Sequence, residues 1–181
     1  MSCAFGGLNK IEFGGSSEFY VNPIPLSTEK ISLLQKHLML FFTGFTRNAS
    51  DIADEQISKT YSKNVELKTM AGMVDEGINI LNDNISSIND FGKLLHEAWQ
   101  IKKGLANSIT TDRIDEIYRA AQEGGAIGGK LLGAGGGGFM LFFAAPDVQQ
   151  TVKERLRKLL YVPFAFDNLG TQIIVYSTQD F

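Results

Sequence analysis

The segment Gly133-Ala134-Gly135-Gly136-Gly137-Gly138 places five glycines in six positions, where a tight hairpin turn needs only one or two. Glycine loses more conformational entropy on folding than any other residue and brings no side chain to pack. A run this dense therefore implies a need for bare backbone. Another loop or a phosphate can then approach the main chain, and consecutive unhindered amides can form an anion-binding concavity. The run is not a Walker loop, because no Gly-Lys-Ser/Thr closes it. Nor is it a dinucleotide fingerprint, because Phe139 to Ala145 are strand-type residues where that motif opens a helix.

The rest of the chain reads as an α+β fold, with helices packed on one side of an antiparallel sheet. Phe5 to Val21 alternates β-friendly pieces with glycine pairs, as hairpin strands do, and Asn22-Pro23-Ile24-Pro25 breaks regular structure. A short amphipathic piece with Ile31, Leu33 and Leu34 precedes Leu38-Met39-Leu40-Phe41-Phe42, an apolar run suited to a strand buried on both faces. Four helices are expected next. The first carries the stripe Ala49, Ile52, Ala53, Ile57 and Tyr61, and the second Leu67, Met70, Ala71, Val74, Ile78 and Leu81. The third starts near Ser87, and the fourth, with Ile114, Ile117, Tyr118 and Ala121, ends at Gly124-Gly125. Beyond the glycine run come a buried strand to Ala145, a helix with Pro146 as its first residue, and two closing strands. Those strands hold Phe164 with Phe166, and Ile173 to Tyr176.

Composition narrows the function. With 181 residues, 44% of them hydrophobic, the chain can bury one sizeable core. A net charge of -3 gives no basic field for nucleic acid or an anionic membrane surface. No apolar run reaches the roughly 18 residues of a membrane-spanning helix, so a cytoplasmic setting is expected. The single cysteine, Cys3, has no disulfide partner, and His37 and His96 lack ligand-spaced neighbours, so no metal site is expected.

The segment from Lys130 through Leu131-Leu132 and the glycine run to Phe139 resembles the third motif of the GHMP kinases, a family named for galactokinase, homoserine, mevalonate and phosphomevalonate kinases. Ala4-Phe5-Gly6-Gly7-Leu8-Asn9, Thr43-Gly44-Phe45-Thr46-Arg47, Trp99-Gln100-Ile101-Lys102-Lys103, Ile109-Thr110-Thr111 and Ile114-Asp115 are similar to its heptose-phosphate kinase branch. The resemblance implies a ferredoxin-like carboxy-terminal kinase domain over 26–181, preceded by a strand remnant of an amino-terminal domain over 1–25. It implies an enzyme moving the γ-phosphoryl group of ATP, with Mg²⁺, onto a hydroxyl of a sugar phosphate. Nucleotide or substrate would meet Lys130, Gly133, Ala134, Gly135, Gly136, Gly137, Thr43, Gly44, Arg47 and Lys102. The family's phosphate loop and its Gly-x-x-Asp-Gln segment find no counterpart, and the aspartate would fall just before Met1. The chain is thus expected to be inactive alone and to pair with a separate amino-terminal half or with itself through an open strand edge. The rival reading is a stand-alone domain that binds a sugar phosphate, or regulates, without catalysis.

Overall fold

A computed structural model describes residues 2–15, 18–45 and 49–174. In chain order its elements are α1 (Ser2–Phe5), β1 (Asn9–Phe13), β2 (Phe19–Pro23), α2 (Thr28–His37), β3 (Leu38–Phe42), α3 (Ala49–Lys59), a 3-10 turn (Tyr61–Lys63), α4 (Asn64–Asn82), α5 (Ile88–Lys103), α6 (Asp112–Glu123), β4 (Gly128–Leu131), β5 (Phe139–Phe143), α7 (Gln149–Arg155) and β6 (Leu160–Val162). Among the described residues no helix is long and apolar enough to cross a membrane. The chain divides into two units, Met1–Ser27 with Ala165–Phe181, and Thr28–Phe164.

In the first unit β1 and β2 form an antiparallel hairpin. The chain's late segment ties to its start, with Gly7 N–H donating to Asp167 O at 2.7 Å and Thr171 N–H to Ala4 O at 3.2 Å. Phe5 belongs to the short α1 rather than to a strand, and β2 runs into Pro23. A proline is tolerated there because Asn9 and Pro23 form a non-hydrogen-bonded pair, the ladder bond falling instead on Ile24 N–H to Leu8 O at 2.9 Å.

The second unit is built on a four-stranded antiparallel sheet in the order β4-β5-β3-β6. The register pairs Met39 with Phe142, Phe41 with Met140, and Leu131 with Met140. Alternation then puts these five side chains on one face. That face is buried against Trp99, Ile109, Ile114, Ile117, Tyr118, Ala121, Val152 and Leu156 from the helical side, as the α+β expectation required. The opposite face is more open, with Phe139 40% and Leu160 65% exposed. At its far end Phe143 is sealed by His37, whose ring stacks on it at 5.1 Å, and by Phe91. His37 is therefore a packing residue. His96 instead lies 2.8 Å from the buried Tyr118 hydroxyl.

Several local expectations fail for identifiable reasons. Ile57 and Tyr61 do not face the core but are 68% and 98% exposed: Ile57 lies on α3 itself, and Tyr61 falls beyond the end of α3 at Lys59, in the 3-10 turn. Val74 is likewise exposed on α4. Pro146 is not helical: Val148 N–H donates to Ala145 O at 3.1 Å, closing a turn with proline at the position its fixed φ suits, and α7 starts at Gln149. The closing strand is Leu160–Val162, not Phe164 with Phe166 or Ile173 with Ile174, none of which is in a strand. Pro163 lacks the N–H needed to extend the ladder beside β3. Tyr176 lies outside the described residues. The helix starts fare better. Ser87 caps α5, its hydroxyl accepting from Asn89 N–H, and Thr111 caps α6 through Ile114 N–H.

The edge strand β4 meets α5 backbone to backbone. A Cβ on Gly128 would fall on the Gly92 carbonyl oxygen, and one on Gly92 would lie 2.6 Å from the Phe143 ring. Glycine inside α5 costs about 1 kcal/mol of helix propensity, which the close approach offsets. Gly128→Ala should therefore destabilise the fold by about 3 kcal/mol, the upper end of overpacking costs, read as a lowered urea midpoint with an unchanged slope.

Candidate functional site

The pairings Phe42 with Phe139, Phe42 with Leu160, and Leu131 with Met140 bring the ends of β3 and β4 and the starts of β5 and β6 to one end of the sheet. Two connections emerge there, Thr43-Gly44-Phe45 after β3 and the glycine run between β4 and β5. They are clasped together. Thr43, with no exposed surface, donates its N–H to Gly138 O at 2.8 Å. Its hydroxyl lies 2.9 Å from Gly138 O and 3.0 Å from Phe45 O, and accepts from Gly138 N–H at 3.1 Å. Gly138 N–H also reaches Phe45 O at 2.9 Å.

The glycines divide by what surrounds them. A Cβ on Gly137 would sit 2.7 Å from Phe45 O, and one on Gly135 would sit 2.8 Å from Ile109 Cα. Gly136 is buried and donates its N–H to Ile109 O at 3.0 Å. Gly135 and Gly137 are glycine because the chain's own loops press against them, and Gly136 adopts a left-handed backbone (φ 74°). Gly133 (φ 83°) and Gly138 (φ 105°) have open space where a Cβ would point, so backbone conformation is what selects glycine there. The amides of Gly136 and Gly138 are thus already committed. The run is less an open anion nest than a rigid, closely packed wall.

Side chains from distant segments brace that wall. Gln56 of α3 donates to Ala134 O at 2.8 Å, and Lys102 of α5 donates to Gly133 O at 2.7 Å. Glu55 accepts from the N–H groups of Asn107 and Ser108, each at 3.1 Å, and pairs with Lys59 at 2.6 Å. The Lys59 ammonium foremost, with those amides, holds its carboxyl down to about 2. Arg113 lies 4.6 Å over the Phe45 ring. Glu55, Gln56 and Arg113 were not anticipated. The Glu55 to Lys59 spacing of four residues announces a helical ion pair, but no local signal points to amides more than fifty positions away.

The structure gathers most of the expected residues. Thr43, Gly133, Ala134, Gly135, Gly136, Gly137, Lys102 and Lys130 flank the same sheet end, and Gly44 is exposed beside them in a left-handed conformation (φ 82°). Arg47 lies outside the described residues. The half-buried Lys130 and Lys102 differ from Lys103, which is spent on Asp115 at 3.2 Å. Burial pushes the Lys130 ammonium down. Burial, and then the Lys130 charge, push Lys102 down to about 8.

Lys102 therefore makes stability depend on pH in a defined direction. Above about 8 the folded protein releases its proton, whereas the unfolded chain keeps it up to the ordinary value of 10.5, so the unfolded state holds more protons across that window. The Lys102 contribution to stability should rise with pH from about 8 to 10.5. Urea midpoints measured at both ends of that range should show the rise in the wild type and a smaller one in Lys102→Met.

Comparison with known proteins agrees with this geometry. The family described as GHMP kinases C terminal matches residues 81–162, from the end of α4 through β6 and including the glycine run. The D-glycero-alpha-D-manno-heptose 7-phosphate kinase of Campylobacter jejuni is 32% identical over 160 residues, covering 87% of this chain and 46% of that kinase. The fold is shared with the Leishmania major mevalonate kinase, solved with R-mevalonate (TM-score 0.69, 15% identity, 93% of this chain and 51% of that one). It is shared also with a D-glycero-D-manno-heptose 1-phosphate kinase from Bacteroides thetaiotaomicron (TM-score 0.65, 23% identity, 97% and 48%). The chain spans about half the length of these relatives. Its sheet, its glycine run and its matching segments make it a member of the GHMP kinase family, carrying that family's carboxy-terminal domain.

Proposed function

We propose that this domain forms one wall of the active site of an ATP-dependent sugar kinase, with a heptose phosphate as acceptor. The supporting observation is the convergence of the glycine wall with two half-buried lysines, Lys102 and Lys130, at one sheet end. Similarity to the Campylobacter heptose 7-phosphate kinase indicates the acceptor class. In the reaction the acceptor hydroxyl oxygen bonds to the γ-phosphorus, the bond from that phosphorus to the β,γ-bridging oxygen breaks, and ADP leaves. A carboxylate base takes the hydroxyl proton.

That base is assigned to an amino-terminal half working with this domain, which would supply the aspartate and the loop that holds the ATP phosphates. Two carboxylates of this region, Glu55 and Asp115, are engaged by Lys59 and Lys103. Among the described residues no group of three His, Cys, Asp or Glu side chains is placed to hold Mg²⁺, so its ligands are assigned to the same half and to the nucleotide. ATP as donor implies a cytoplasmic setting. The same engagement of carboxylates favours the second reading, a domain that binds sugar phosphate without turnover. ATP consumption with heptose 7-phosphate separates the two. This chain alone should show none, and addition of the amino-terminal half of the Campylobacter relative, or an upstream extension encoding one, should restore it. Absence of turnover in the combined protein, with sugar phosphate still bound, would favour the binding domain.

The hairpin of the first unit supports an association. Among the described residues β1 and β2 pair only with each other, and Phe13 (74%), Tyr20 (58%) and Phe19 (44%) are exposed on them. A two-stranded ribbon is marginal by itself and presents open edges. We assign those edges to strands of an amino-terminal half or of a second copy. Sedimentation of the chain alone should show concentration-dependent dimers; a clean monomer at high concentration would rule out self-pairing.

A further inference from the structure

The groove between α6 and the turn that joins α7 to β6 is a cavity of about 490 Å³. Its wall on α6 carries Arg113, Glu116, Ile117 and Ala120, spaced by three and four and so on one helical face. Its opposite wall is the run from Arg155 through Arg157 and Lys158 to Leu159, at the close of α7 and beyond it. No residue of the glycine run lines it, nor does Lys102 or Lys130.

Four cations and one carboxylate therefore line a single depression, in a chain whose net charge is -3. Three of the chain's five arginines are here, so positive charge is concentrated where composition alone would scatter it. The neighbourhood does little to neutralise it. Arg155 reaches Glu123 at 3.4 Å, but both side chains are more than half exposed, and a surface pair of that kind is worth little. Arg113 lies over the Phe45 ring, a contact that brings no counter-charge. Among the described residues Arg157 and Lys158 have no carboxylate within ion-pair distance, and Glu116 pairs with none of the four cations.

Under this rim the floor is apolar. Ile117 and Leu156 are buried, and Ala120 and Leu159 are half-buried. Such a floor keeps water from one side of the rim and so strengthens its field. The volume lies in the range of about 300–1,000 Å³ usual for small-molecule sites. No lining residue is an exposed large apolar side chain of the sort that anchors a protein partner. Guanidinium forks grip phosphate oxygens two at a time.

We propose that this groove binds a small organic diphosphate, its phosphates held by Arg155, Arg157 and Lys158 and its apolar body resting on Ile117 and Leu156. The lining has three cations in excess, which the clustered negative charge of a diphosphate matches and a lone carboxylate does not. Nucleotides and alkyl diphosphates share this chemistry. The site lies apart from the glycine wall and does not depend on the kinase reading.

The test is calorimetric titration of the chain, at fixed ionic strength in chloride, with ADP, octyl diphosphate, inorganic pyrophosphate, adenosine and a hexaglutamate peptide. ADP or octyl diphosphate should bind, and whichever binds more tightly identifies the body. Pyrophosphate should bind about tenfold more weakly or worse, because it leaves the floor uncovered. Adenosine should not bind. Arg157→Gln combined with Lys158→Gln changes two exposed side chains and should leave the thermal midpoint of the free protein in place. It should weaken the diphosphate by about tenfold or more. Binding that this double variant retains in full, pyrophosphate as tight as either organic diphosphate, or no diphosphate binding at all overturns the proposal. Hexaglutamate binding more tightly than any diphosphate would overturn it in favour of an acidic protein partner. Because the titration reads binding by this chain alone, its outcome is separate from turnover with an amino-terminal half.

Discussion

Backbone-to-backbone contact at the glycines is the constraint from which the arrangement follows. Gly128 lets α5 approach the edge strand to a distance that any Cβ would forbid. Gly135 and Gly137 let the β4–β5 connection seat between Ile109 and Phe45. With those approaches fixed, the start of α6, the end of β3 and the glycine run become one rigid body, and packed groups of this kind move little. Thr43 completes it from a fully buried position, using both main chain and hydroxyl on Gly138.

Electrostatics then distinguishes residues that composition treats alike. Lys59, Lys103 and Lys102 all lie in the last turn of their helices, yet the first two neutralise carboxylates and, among the described residues, the third bonds a carbonyl oxygen. A paired surface lysine contributes little to stability in either direction. A half-buried one without a carboxylate partner opposes folding while it is charged. The chain's overall acidity hides this local positive region.

Much of the architecture was legible because it rests on short-range rules. The apolar run Leu38 to Phe42 reads as a strand, the three-four spacing of α5 and α6 reads as helices, and Ser87 marks a start by its capping hydroxyl. The failures sit where a neighbour in space competes with local preference. Ile57 and Tyr61 have helical spacing, but α3 ends at Lys59, which leaves Tyr61 in the 3-10 turn, and both side chains are exposed. Ile173 and Ile174 have strand composition, but the place beside β3 is taken by Leu160–Val162.

The sequence by itself determined the alternation of strands and helices, the presence of a bare-backbone loop and, through its resemblance, the kinase family. Those properties depend on side-chain spacing and backbone permissiveness within a few residues. Only the tertiary structure decided which backbone the glycines meet, that two of the loop's amides are consumed internally, and that Lys103 is paired with Asp115 while Lys102 bonds the Gly133 carbonyl. Close contact and desolvation join groups tens of residues apart along the chain, and no local pattern carries that distance.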